Sequence, residues 1–208
     1  SGLGTFRENK KEKSKKHIVL NEKLTKLAVN NTNLLVLTKS TALSTVHRPA
    51  HLDYLGIKRF NAKGEVIGER RFLGLYTAKV YNERPSEIPL LRRKTADVIE
   101  RSGLNMSDYG GKELDQILSV YPRDELFQIT SDELFEVAMG ILYVQERRKI
   151  RLFMREDAYG RFVSCLVYVP REIYSTDLRR KMEKVLMDDL NGLDIDFMTF
   201  FSESGLAR

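Results

Sequence analysis

One cysteine, Cys165, stands in 208 residues, so no internal disulfide can form, and a fold made without one suits the cytoplasm. Its neighbours Val163, Leu166 and Val167 are apolar. They predict an inert thiol buried in a strand, because a reactive thiolate needs a cation or base and an opening to solvent. No apolar run approaches the ~18 residues that span a bilayer. The start does not read as a secretory leader either, since the charged stretch Lys10 to Lys16 is followed by no long apolar segment. Phosphate-cradling loops are missing. Gly2-Leu3-Gly4 is too short for a dinucleotide fingerprint, and no Walker-type glycine loop occurs. Gly110-Gly111-Lys112 precedes a helix and offers only a weak anion signal.

What is present describes a folded protein. At 24.1 kDa, with 42% hydrophobic and 31% charged residues, the chain can build one sizeable core or two small ones. Its net charge of +6 is uneven: residues 1–26 hold eight Lys/Arg against three Asp/Glu, and the remaining residues are nearly neutral. The basic arm, Lys10-Lys11-Glu12-Lys13-Ser14-Lys15-Lys16-His17, reads as a solvated lead-in. A nucleic-acid or other anionic partner bound through this arm is the alternative, although no aromatic lies within the charged run for base stacking.

Along the chain, residues 1–32 form the lead-in, with a short helix expected over Asn21 to Val29. Leu34 to Thr38 reads as a first strand. Thr45 to Asn82 reads as an antiparallel meander, with Leu52, Tyr54 and Ile57 around a break at Gly56. Asn61-Ala62-Lys63-Gly64 is a hairpin turn, because Gly64 can take a positive φ and Asn61 can bond its own backbone. Val66 and Ile67 then restart the chain, and Arg71 to Tyr76 is extended. The face carrying Lys58, Arg59, Glu69, Arg70 and Arg71 is expected to be wet. Three helices follow. The first opens at Pro85-Ser86 and stops at Gly103. The second buries Leu114, Ile117, Leu118 and Tyr121 before Pro122. The third is opened by Thr130-Ser131-Asp132-Glu133 and buries Leu134, Val137, Ala138, Ile141 and Leu142. From Ile150 the order is β-β-α-β: strands flank a turn at Asp157 to Gly160, Ser175 to Asp177 caps a helix that ends at Asn191-Gly192, and Ile195 to Phe201 is the last strand.

Candidate ligand or interdomain contacts cluster in the meander: His47, Arg48, His51, Asp53, Arg70 and Arg71. His47 and His51 with Asp53 invite a metal reading, but Pro49 favours extended backbone, which sets residues four apart at about 13 Å, too far to share one ion. The residues therefore predict no metal site, and hydrogen bonding to a neighbouring segment is the expected role. Arg70-Arg71 and Arg92-Arg93 are able to bind a carboxylate bidentately, but doubled arginines are ordinary on solvent faces. The pairs Asp124-Glu125, Asp132-Glu133 and Asp188-Asp189 are explained by capping and solvation. No catalytic constellation is assembled from these residues.

Long strings of the chain resemble a known family. Ser44 to Pro49, His51 to Phe60, Gly68 to Tyr76, Ile88 to Lys94, Tyr121 to Ile129, Arg161 to Arg171 and Ser202 to Arg208 are similar to the large bacterial NAD-dependent glutamate dehydrogenases. The resemblance covers roughly residues 33–208 and implies the N-terminal, non-catalytic part of such an enzyme. It implies an α+β chain: a PAS-like antiparallel-sheet module over 33–110, a helical connector over 111–149, and a partial ACT-like α/β sandwich over 150–208. The parent activity it implies is oxidative deamination of L-glutamate to 2-oxoglutarate and ammonia with NAD. The catalytic lysine and aspartate and the NAD fold would lie later in the polypeptide, so no catalytic residue and no cofactor are expected here. Implied partners are the rest of the polypeptide, its homo-oligomer and an amino-acid effector, with no membrane.

Overall fold

The structure is a computed structural model, and it describes residues 33–46, 49–147, 149–201 and 205–208. The helix expected over Asn21 to Val29, the basic arm, His47 and Arg48 lie outside the described residues. The fold is α+β, with two three-stranded sheets and a set of helices. It divides into two units, and each is drawn from several stretches. The first comprises the chain to Thr95, Val120–Thr130 and Glu156–Val163; the second comprises Ala96–Ser119, Ser131–Arg155 and Ser164–Arg208.

The first unit is built on the meander. Strands β1 (Leu35–Leu43), β2 (His51–Phe60) and β3 (Val66–Gly74) lie antiparallel in chain order. The expected turn closes β2 onto β3: Asn61 Oδ1 accepts from the Lys63 and Glu65 amides, each at 2.9 Å, and Gly64 sits at φ 79°. Gly56 does not break β2. It lies mid-strand, paired with Val36 on one side and Arg71 on the other. A side chain there would strike Glu69, since an added Cβ would lie 2.7 Å from Glu69 Cδ. After β3 come a short helix α1 (Ala78–Asn82) and a 3-10 turn (Pro85–Glu87).

The first long helix, α2 (Leu91–Ser102), starts later than Pro85-Ser86. Pro89 disfavours helical backbone at Ile88, which is extended at φ −95°, and Leu90 then turns left-handed at φ 70°. Gly103, at φ 64°, ends α2 as expected. Helix α4 (Arg123–Gln128) is a separate turn of helix after Pro122 that sequence periodicity did not resolve. It contributes buried Leu126 and Phe127 to this unit.

The second unit holds α3 (Tyr109–Val120, to Ser119), α5 (Ser131–Arg147) and the other sheet. Leu114, Ile117 and Leu118 are buried at the spacing of one helical face, as are Leu134, Ala138, Ile141 and Val144. Gly111 owes its place to packing: a Cβ would sit 2.2 Å from the Asn105 carbonyl oxygen. Gly111 before Lys112 is therefore accounted for by close packing against the Asn105–Met106 backbone. Strands β4 (Arg151–Glu156), β5 (Val163–Pro170) and β6 (Leu206–Ala207) are neighbours in that order, with α6 (Thr176–Leu190) between β5 and β6 in the chain. Ser175 caps α6 through the Leu178 amide at 3.1 Å, and Asn191 closes it in the left-handed region at φ 50°.

The β-β-α-β order holds, but its last strand is Leu206–Ala207, not Ile195 to Phe201. Residues 195–200 form no strand, and Phe201 makes one isolated bridge to Ala207. Their apolar side chains serve other contacts: Arg179 lies 3.9 Å over the Phe197 ring and Tyr174 meets Phe201 edge-on at 5.4 Å. Cys165 is half-buried rather than sealed in the core.

Candidate functional site

Charge has gone inside the first unit. The buried polar residues among those described, Thr38, Ser40, Asp53, Lys58, Thr95, Arg123, Glu125 and Asp157, all belong to it. Strand alternation explains how. On β2 the even positions Tyr54, Gly56 and Lys58 share one face, and register pairs Lys58 with Glu69 and Gly56 with Arg71. That face was expected to be wet. Instead the side chains of Lys58 and Glu69 are only 1% and 6% exposed, while Arg59 and Arg70, of opposite parity, do face solvent. Asp124 and Glu125 lie in the first turn of α4, as expected of a helix start, but Glu125 is buried and Asp124 is drawn into an ion pair.

Glu69 is the centre of the first cluster. Its Oε2 accepts from Lys58 Nζ at 2.5 Å and from the Tyr159 hydroxyl at 3.0 Å. Its Oε1 accepts from the Tyr54 hydroxyl and from Arg71 Nε at 3.3 Å. A carboxylate offers about four lone-pair sites, and these four donors fill them. Burial opposes its ionisation, but the hydrogen bonds from Lys58 and Tyr54 and the Lys58 charge outweigh that and hold the carboxyl below its ordinary range. Burial also pushes Tyr54 and Tyr159 far above a normal phenol, and the neighbouring Glu69 charge adds to it. The two rings meet edge-on, with centroids 6.0 Å apart.

The turn between β4 and β5 completes this face. Asp157 accepts from the Thr38 hydroxyl and from Arg161, Nε at 2.8 Å and Nη2 at 3.2 Å. The backbone amides of Tyr159 and Arg161 donate to the same carboxylate at 3.2 and 3.3 Å. Thr38 in turn accepts from Arg161 Nη2 at 2.8 Å, and Arg161 lies 5.3 Å from the Tyr159 ring centroid. The side chain of Asp157 is fully buried, so this pairing compensates a charge that water cannot reach.

On the opposite face Lys39 bridges two acids, Asp53 at 2.5 Å and Asp124 at 3.0 Å. Asp53 also accepts from the Tyr76 amide at 2.7 Å, and Asp124 from the Tyr81 hydroxyl at 2.7 Å. Tyr76 stacks on Phe127 at 4.6 Å, and burial, with the Asp53 and Asp124 charges, raises its phenol well above the usual value. Lys94 binds the end of α4 through the carbonyls of Leu126, Phe127 and Ile129 at 2.8, 3.3 and 2.5 Å. At the other end Arg123 reaches the Glu83 carbonyl at 2.9 Å.

The candidate residues read from sequence that are described, His51, Asp53, Arg70 and Arg71, do not converge. Exposed His51 bonds the Ser40 carbonyl through Nδ1 at 3.0 Å, the role anticipated for it. Asp53 sits in the Lys39 cluster, Arg70 is exposed opposite Ile57, and Arg71 belongs with Glu69 on the other face. Tyr54, Lys58, Glu69, Asp157, Tyr159 and Arg161 were missed as a group. Parity along β2 was the available signal for Lys58; nothing local signalled the turn residues, because Thr38 and Asp157 are 119 positions apart.

A family model described as glutamate dehydrogenase, helical motif 1, matches residues 88–147, and one described as glutamate dehydrogenase, ACT2 domain, matches residues 151–208. An NAD-specific glutamate dehydrogenase of Pseudomonas aeruginosa is 53% identical over 175 residues, 84% of this chain and 11% of that protein. That of Halomonas elongata is 50% identical over 175 residues, with the same coverage. That of Mycobacterium tuberculosis is 32% identical over 174 residues, 84% of this chain and 10% of that protein. The chain thus spans about a tenth of the length of the curated relatives it matches. No solved structure matches it.

Proposed function

The chain belongs to the NAD-specific glutamate dehydrogenase family, and on that premise we propose that it is a non-catalytic regulatory and assembly segment of such an enzyme. The parent polypeptide in this reading deaminates L-glutamate oxidatively to 2-oxoglutarate and ammonia, with NAD held by a later part of the chain. Along the sequence, 1–32 is a lead-in, 33–110 a PAS-like module, 111–149 a helical connector and 150–208 a partial ACT-like module. The partners are the remainder of the polypeptide, its homo-oligomer and an amino-acid effector, in the cytoplasm. No helix among the described residues is long and apolar enough to cross a membrane.

One observation carries the non-catalytic reading: the best-placed acid, Glu69, is saturated by Lys58, Tyr54, Tyr159 and Arg71. A general base must keep a lone pair free for the proton it removes. Here the acids and the bases satisfy one another. A ligand regulates only by binding two states of the enzyme unequally, so the reading needs an effector. A thermal-shift screen of free amino acids against this chain tests for one, because specific binding raises the midpoint by mass action. NAD-dependent glutamate oxidation by the chain alone would overturn the reading. Nothing among the described residues favours the alternative, an anionic partner held by the basic arm.

A further inference from the structure

Among the described residues, Arg123 is the one buried cation with donors that lack acceptors. Its Nη2 reaches the Glu83 carbonyl at 2.9 Å, while Nε and Nη1 are inaccessible to solvent and have no hydrogen-bond partner. The residue is 9% exposed. Buried polar groups in proteins are nearly always paired, and an unpaired charged one is costly. Two acids of the same unit are committed elsewhere. Asp124 is held by Lys39 at 3.0 Å and Tyr81 at 2.7 Å, and Asp53 by Lys39 at 2.5 Å and the Tyr76 amide at 2.7 Å. Burial lowers the proton affinity of the guanidinium. One helical turn along α4, at i+4, Phe127 stacks on Tyr76, so an apolar pair stands beside the cation.

We propose that Arg123 is a carboxylate receptor, whose open donors are completed in the working protein by a carboxylate that the described residues do not supply. A guanidinium presents a planar fork that matches a carboxylate in shape and in single charge, whereas a phosphate dianion would leave charge uncompensated on a lone arginine. The carboxylate has two sources, a free acid or an acidic side chain from elsewhere in the longer polypeptide. The inference rests on reading the chain as a regulatory and assembly segment, which needs either an effector or a neighbour at such a point.

The test is NMR of the arginine Nε–H signals of the intact 208-residue chain, with Arg123 assigned by its disappearance in R123K. Sodium acetate, L-glutamate and N-acetyl-L-glutamate amide are titrated against chloride and phosphate at matched ionic strength. The Arg123 signal is expected to shift with the carboxylates and not with chloride, and R123K is expected to bind at least tenfold more weakly. Tighter binding of L-glutamate assigns the site to a free acid; tighter binding of the blocked amide assigns it to a side chain. An Arg123 signal that no carboxylate moves, or that moves equally with chloride or phosphate, overturns the proposal; if R123K does not fold, a wild-type spectrum in which no arginine Nε–H signal moves with the carboxylates overturns it as well. A thermal stabilisation by L-glutamate that R123K retains in full also overturns it, while leaving the regulatory reading standing.

Discussion

Replacing Glu69 with Gln tests whether the ion cluster in the first unit is a true interior feature. The substitution keeps the shape and removes the charge. Lys58, 1% exposed at its side chain, would then be a buried cation without its counter-ion. Removing one partner of such a pair costs ~3–5 kcal/mol, against ~0.2–1 kcal/mol for an exposed pair. The amide has one acceptor oxygen where the carboxylate had two, so the four donors now around Glu69 cannot all be kept. These losses share one group and do not add, which sets the expectation at about 4 kcal/mol. Total stabilities of folded domains are about 5–15 kcal/mol, so the effect is large. Urea unfolding followed by far-UV and tyrosine near-UV circular dichroism measures it. K58M should cost less in the E69Q background than in wild type, by roughly 1–3 kcal/mol. A loss below about 1 kcal/mol for E69Q, the level of an exposed pair, would refute the account of Lys58 and Glu69 as an interior pair.

The pH dependence has a definite sign. The folded-state carboxyl of Glu69 lies below its ordinary value, so its contribution is complete above the unfolded value of about 4.3 and is lost as the pH falls through the folded one. The stability gap between wild type and E69Q should therefore narrow on acidification below about pH 4.3, which urea titrations at stepped pH will measure. Tyr54, Tyr76, Tyr159 and Tyr168 are all raised, chiefly by burial. Ultraviolet titration should find these four protonated beyond the usual phenol range of about pH 10, ionising only with unfolding. Lys94→Met removes the cation from three carbonyls at the end of α4 and should cost ~1–3 kcal/mol in chemical denaturation. Leu90→Gly relieves a left-handed, half-exposed leucine and should raise stability by ~1 kcal/mol by the same assay.

Legibility followed the range of the interaction. The meander was readable because its period of two and the Asn61 to Gly64 turn are local, and α3 and α5 because their apolar stripes repeat. Lys58 and Glu69 misled because charge was weighed above parity, although Tyr54 and Gly56 on the same face already pointed inward. Ile195 to Phe201 looked like a strand because aromatic content alone does not say whether a segment pairs or packs. The late start of α2 turned on a left-handed leucine that no rule of composition anticipates. Family resemblance was readable from whole strings, whereas Arg123 and the Asp157 turn depended on partners distant in the chain.

Synthesis on the ribosome gives that distance a duration. Thr38 leaves the ribosome 119 residues before Asp157, an interval of roughly 6–24 s at typical elongation rates of ~5–20 residues per second. Once β3 has followed, the meander can close its hairpins and join Lys58 to Glu69, but one side of the sheet still lacks its lid of Tyr159 and Arg161. The nascent chain thus waits half-covered, and the moment of completion is set by translation speed, not by the strands themselves.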